Sequence, residues 1–83
     1  MKVLKFEAIW CGPCKMLSKV ITNAQDKITL PIEIVDIDEQ ADTAMQYNVR
    51  SVPTLIVVDG EGKEVKRKVG ALQEADLLKF LQQ

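Results

Sequence analysis

The sequence predicts one α/β domain over residues 1–83, ordered βαβαββα, with a mixed four-stranded sheet and three helices. Three observations carry this expectation. Residues 2–9 alternate like a strand and run into a proline-containing segment, from which an apolar stripe continues at helical spacing. A β-branched stretch at 32–37 follows that helix, so the crossover should make the first two strands parallel and right-handed. Finally, an apolar run at 54–58 and a lysine-rich run at 64–69 flank a glycine-rich turn, which is a hairpin pattern.

Taken in order, Leu4, Phe6 and Ala8 alternate with Lys5 and Glu7. Val3 and Ile9 share the Lys5 face, so both faces of this strand should be covered, and two charges inside it are unusual. A helix is expected from Pro13 to Gln25 or Lys27, because proline in a first turn forfeits an N–H that has no helical partner. Cys14, Leu17, Ile21, Ala24 and Ile28 form its inward stripe, widened by Met16 and Val20. Leu30-Pro31 ends the helical pattern, and residues 32–37 form the second strand. Asp38 is expected to cap a short helix reaching Tyr47, with Ala41, Ala44 and Met45 inward and Asn48 terminating it in a left-handed conformation.

Pro53 precedes the strongest strand, Thr54-Leu55-Ile56-Val57-Val58, and Asp59-Gly60-Glu61-Gly62 turns the chain. The lysines of Glu64–Val69 suit a blunted sheet edge, Gly70 breaks that strand, and a last helix is expected over 73–83 with Leu77, Leu78 and Leu81.

Composition narrows the function. The net charge is −1 and there is no histidine, which removes histidine bases, histidine metal ligands and histidine triads. Near-neutral balance argues against nucleic acid as the main partner, because phosphate binding needs a larger positive field. Charges at Lys5 and Glu7 interrupt any signal-peptide core, and no apolar run reaches membrane-span length. The expectation is a cytoplasmic protein with no membrane association.

All the reactive sulfur lies in Trp10-Cys11-Gly12-Pro13-Cys14-Lys15, which holds both cysteines and the only tryptophan. A four-residue loop constrains an unfolded chain too little for this pair to be a structural staple. With two cysteines and no histidine, a four-ligand zinc site is not available within one chain, and no metal site is expected. A Cys-x-x-Cys beside a βαβ pattern instead reads as a redox pair. The thiolate is the nucleophile, and a helix N-terminus favours it through the macrodipole and unpaired N–H groups. Cys11 should sit just before the first turn, and Cys14 one turn in beside Leu17 and Ile21. Cys11 is therefore expected to face outward and attack, and Cys14 to resolve.

These residues strongly resemble the thioredoxin family. The hexapeptide matches that family's active-site motif residue for residue. Tyr47-Asn48-Val49-Arg50-Ser51-Val52-Pro53-Thr54 is similar to its segment around a cis-proline, and Lys68-Val69-Gly70-Ala71-Leu72 to the segment opening its last helix. The resemblance implies reduction of protein disulfides through a Cys11/Cys14 cycle, with no bound cofactor. The implied partners are disulfide-containing proteins and a reductase or thiol pool, acting on a monomer. Pro53 would be cis and packed against the disulfide, and the Val52 backbone would pair with substrate. Trp10, Gly12, Pro13, Val52, Val69 and Gly70 would form the docking rim.

Two departures stand out. The sequence starts at the strand entering the motif, without the family's extra N-terminal strand and helix, so residues 32–37 should become a sheet edge. Lys5 falls where the family has a buried aspartate, Ile34 near a family lysine, and Glu7 at an inner tryptophan. Lys5 and Glu7 lie two residue rises apart on one face, roughly 7 Å. They are read as a charge pair beneath the site. Glu7, or a neutral Lys5, would assist proton removal from Cys14, while a positive Lys5 would favour the Cys14 thiolate directly. Snorkelling to solvent is the plainer reading of both. Two alternative functions stay open: a glutathione-dependent carrier like the glutaredoxins, which typically have Pro-Tyr where this motif has Gly-Pro, and a non-redox clamp on the same fold.

Overall fold

Thr54-Leu55-Ile56-Val57-Val58 has no polar face to turn outward, so the strand it forms has to be covered on both sides. A computed structural model, describing residues 1–82, places it accordingly. The elements are β1 (Lys2–Glu7), α1 (Gly12–Asn23), a 3-10 turn (Gln25–Lys27), β2 (Ile32–Asp36), α2 (Ala41–Gln46), β3 (Thr54–Val58), β4 (Glu64–Val69) and α3 (Glu74–Leu81). The sheet order is β2-β1-β3-β4, and every residue of β3 is buried. β1 runs parallel to β2, with Val3 opposite Ile32, and antiparallel to β3, with Leu4 opposite Ile56. β4 pairs antiparallel with β3, Thr54 opposite Val69, with an irregularity at Val57/Val58.

Strand alternation divides the core into two layers. On one face Val3, Leu55 and Val57 pack with Leu17 of α1 and with Leu77 and Leu81 of α3. On the other, Leu4, Phe6, Ile56 and Val58 pack with Val35 and with Ala44 of α2. Both outer strands are edges as expected, and charge covers them. Lys2 pairs with Glu33 beside β2. On β4, Arg67 holds Glu64 through two hydrogen bonds and donates to the Tyr47 carbonyl. Lys66 sits 5.2 Å over the Phe80 ring and donates to the Gln82 carbonyl, so this edge lysine also ties down the end of α3.

Several boundaries differ from the sequence reading, each for a local reason. β1 stops at Glu7 because the Cys11 N–H donates to the Ala8 carbonyl at 3.1 Å, and that turn breaks the alternation. Ala8 remains buried, but Ile9 is 78% exposed instead of facing the core. α1 ends at Asn23, where the Ala24 N–H is shared between the Val20 and Ile21 carbonyls and the chain tightens into the 3-10 turn. Met16 is exposed and does not widen the stripe.

Asp38 does not cap α2. Its carboxylate accepts from the Trp10 indole, while the Asp36 carboxylate accepts from the Asp38 and Glu39 N–H groups. α2 begins two residues later with Gln40 at the cap, making no side-chain bond. This leaves a helix of six residues in which Ala44 alone is buried, with Ala41 and Met45 exposed. Its end follows expectation: Asn48 takes φ 55°, its N–H donates to Met45, and the Val49 N–H donates to Ala44, a Schellman pair. α3 runs Glu74–Leu81, and the expected extension to residue 83 lies outside the described residues.

Candidate active site

The site is assembled where the end of β1, the start of α1 and the loop before β3 meet. Cys11 is the N-cap residue of α1, with extended backbone (φ −92°, ψ 108°), and Pro13 occupies its first turn. A cap side chain ordinarily offers oxygen to the free N–H groups of the first turn. Here the Cys11 Sγ does so, accepting from the Cys14 N–H at 3.1 Å. Cys11 and Cys14 form a disulfide, with Cα atoms 5.3 Å apart. The unpaired donors and the positive end of the helix dipole therefore lie at the Cys11 sulfur.

Burial does not separate the two cysteines, contrary to an outward Cys11. They are 4% and 2% exposed and form one apolar cluster with Ala8, against which Ile37 and Val52 pack. The difference between them is positional: one caps the helix, and the other begins its inward stripe.

The Val52–Pro53 peptide bond is cis. The Pro53 carbonyl accepts from the Gly70 N–H at 2.8 Å, which joins the loop before β3 to the end of β4. Gly70 itself has φ 99°, a conformation side chains resist, so glycine is required for this closure. Among the residues expected at the rim, Trp10 and Val69 are 67% and 56% exposed, Gly12 and Pro13 are exposed, and Val52 and Gly70 are half-buried. Of the expected rim residues, Val52 packs against the cysteine pair, and Gly70 is tied to Pro53. Asp38 was missed at this site: its carboxylate anchors the exposed Trp10 indole at 3.0 Å. A lone aspartate before a helix looks like a cap, and only the tertiary fold brings it to Trp10.

Beneath the disulfide, Lys5 is 1% exposed and does not snorkel out. Its ammonium group donates to the Glu7 carboxylate and, at 2.6 Å, to the Ser18 hydroxyl. Ser18 in turn donates to the Cys14 carbonyl at 3.0 Å. Ser18 also escaped the sequence reading, although its position four residues after Cys14 places it on the same helix face. A cleft of about 340 Å³ opens beside this network, lined by Glu7, Cys14, Lys15 and Ser18 among others.

Comparison with known proteins decides what this geometry belongs to. The family model described as "Thioredoxin" matches residues 1–83. The chain belongs to the thioredoxin family. It is 42% identical over 80 residues to the thioredoxin of Chlamydia trachomatis, covering 95% of this chain and 78% of that protein. Among solved structures, a point mutant of the thioredoxin from Halobacterium salinarum superposes with TM-score 0.84 at 34% identity, covering 95% of this chain and 69% of that one. The reduced Schistosoma mansoni thioredoxin gives 0.80 at 33% identity, covering 96% and 77%. Family membership and the Cys11–Cys14 disulfide make this chain a thiol–disulfide oxidoreductase of the protein-disulfide reductase type. The thioredoxin family acts on disulfide substrates and is reduced by thioredoxin reductase. Among the described residues, no helix is long and apolar enough to cross a membrane.

Proposed function

We propose that Cys11 is the attacking thiolate and Cys14 the resolving thiol in a cytoplasmic, monomeric reductase of protein disulfides. The observation that carries the assignment is the capping contact, Cys14 N–H to Cys11 Sγ at 3.1 Å. In the reduced protein the same N–H and helix dipole favour a thiolate at Cys11 over one at Cys14. Cys11 attacks a substrate disulfide, forming a mixed disulfide and releasing one substrate thiolate. Cys14 then attacks the Cys11 sulfur, the mixed disulfide breaks, and the second substrate sulfur leaves with its electron pair. Two electrons have passed from the cysteine pair to the substrate, so no bound cofactor is required.

Substrate docks across Trp10, Gly12, Pro13, Val52, Val69 and Gly70. The exposed Trp10 and Val69 supply apolar area. Outside the helices and strands, no backbone–backbone hydrogen bond among the described residues uses Val52. That leaves the Val52 peptide groups able to pair with an extended substrate segment, as the family resemblance implies, with cis-Pro53 fixing their direction. A thioredoxin reductase returns the electrons.

The test is insulin disulfide reduction with thioredoxin reductase or glutathione as donor, together with substrate capture by Cys14→Ser. Turnover with the reductase, and mixed disulfides through Cys11 in Cys14→Ser, are expected. Turnover with glutathione alone would move the protein to a glutaredoxin-like role. No turnover with either donor, and a stable partner retained by Cys11→Ser, would make it a clamp.

A further inference from the structure

A lysine 1% exposed on an apolar sheet face is expensive unless its charge is matched and its donors are used. Lys5 lies on the face shared with Val3, Leu55 and Leu17. Its ammonium group is spent on two partners, the Glu7 carboxylate and the Ser18 hydroxyl. The Ser18 hydroxyl is spent in turn, accepting from Lys5 at 2.6 Å and donating to the Cys14 carbonyl at 3.0 Å. No polar side-chain atom buried in the described structure is left unpartnered, so the cluster is complete rather than accidental. Its one open end is Glu7, whose side chain is 27% exposed and lines the cleft shared with Cys14.

The resolving step needs a proton acceptor for Cys14, because only the thiolate attacks a disulfide. The charged groups around the cleft are few. Lys15 lines it from α1, and Lys5 approaches from β1. Asp36 lies opposite Glu7 on β2, but its carboxylate accepts the N–H groups of Asp38 and Glu39. Leu55 of β3 and Ile34 of β2 flank Lys5 in register and carry no charge. Among the described residues, Glu7 is the only carboxylate residue lining the cleft that Cys14 also lines.

We propose that Glu7 accepts the Cys14 proton across this cleft, and that Lys5 and Ser18 are positioning residues that hold the Glu7 carboxylate and the first turn of α1 in register. The inference rests on Cys14 being the resolving thiol. The Cys14 S–H proton passes to Glu7, the sulfur attacks Cys11, the Cys11–Cys14 bond forms, and the electron pair of the mixed disulfide leaves on the substrate sulfur. When the pair is later reduced, the proton returns to Cys14.

The probe is an aryl disulfide that releases an absorbing thiolate, mixed with reduced protein in stopped flow. Its leaving group needs no proton, so the second, concentration-independent release reports the Cys14 proton alone. For Glu7→Gln we expect that release to slow by about a hundredfold or more near pH 7, the lower end of the range for general base catalysis, and to rise steadily with hydroxide. Lys5→Met and Ser18→Ala should slow it less, with profiles displaced from wild type. As a second readout, Cys14 thiolate absorbance in a Cys11→Ser background should titrate at lower pH in Glu7→Gln and at higher pH in Lys5→Met. Variants with wild-type pH profiles and unmoved Cys14 titrations overturn the proposal, whatever their stability. Absence of any concentration-independent release in the wild type would instead overturn Cys14 as the resolver. Ser18→Ala keeps the buried ion pair, so it tests the network even if Lys5→Met does not fold.

Discussion

At both Gly12, inside the disulfide loop, and Gly70, hydrogen-bonded to the Pro53 carbonyl, an added Cβ meets nothing within 4 Å. A contact-based argument would treat both as freely replaceable by alanine. Backbone conformation separates them. Gly70 has φ 99°, beyond the centre of the left-handed region, whereas Gly12 is the first residue of α1. A left-handed conformation costs an L residue about 1–2 kcal/mol, and nothing at Gly70 adds a steric term. Gly70→Ala should therefore lose about 1–2 kcal/mol. With a urea m value of about 1–1.5 kcal/mol per M for a domain this small, the midpoint should fall by roughly 1 M with m unchanged. Gly12→Ala should change stability by about 0.5 kcal/mol or less, in the stabilising direction, because alanine restricts the unfolded chain and suits a helix. The assay is urea unfolding of the oxidised proteins, followed by far-UV circular dichroism. Equal midpoints for the two variants would refute the conformational argument. A Gly70→Ala loss far above 2 kcal/mol would show a collision that the open space at its Cβ denies.

Leu17 is fully buried one turn below Cys14, and Leu17→Ala should cost about 2–5 kcal/mol in the same assay, with the cavity term setting where in that range it falls. The Arg67 guanidinium holds the Glu64 carboxyl below its ordinary value, mainly through their hydrogen bond. A depressed carboxyl contributes stability above its unfolded pKa and loses it as pH falls through the folded value, so the deficit of Arg67→Ala should be larger at pH 7 than at pH 3. With both side chains about one-third exposed, the pH-dependent part should be a few tenths of a kcal/mol. Asp38→Ala should leave stability within about 0.5 kcal/mol, because its contact is exposed, yet lower the fluorescence anisotropy of Trp10, the only tryptophan. An unchanged anisotropy would mean that the indole is not held by Asp38.

Much of this molecule can be read from residue order because its signals are local. Period-2 and period-3.6 apolar patterns specify β1, α1 and α3, an unbroken apolar run specifies β3, and a helix crossover or a short glycine turn permits few arrangements of the strands. A Cys-x-x-Cys at a helix start states its own chemistry, since the cap position and the dipole are properties of the segment itself. Asn48 likewise ends α2 by its own conformational tolerance.

The tertiary structure decided whatever depends on residues distant in sequence. Asp38 has the sequence context of a cap, but the fold brings Trp10 within 3.0 Å of it, and α2 starts later. Ile9 fits an alternating strand, yet the turn closed by Ala8 and Cys11 removes it from the sheet. Met16 fits the stripe of α1, but a stripe's width depends on what covers it, and nothing covers Met16. Lys5 is the sharpest case. Its sequence position suggests either a buried pair or a snorkelling chain, and only the placement of Ser18 on α1 settles the matter. A charge stays inside when partners from two elements use its donors, and such partners are set by packing rather than by local pattern.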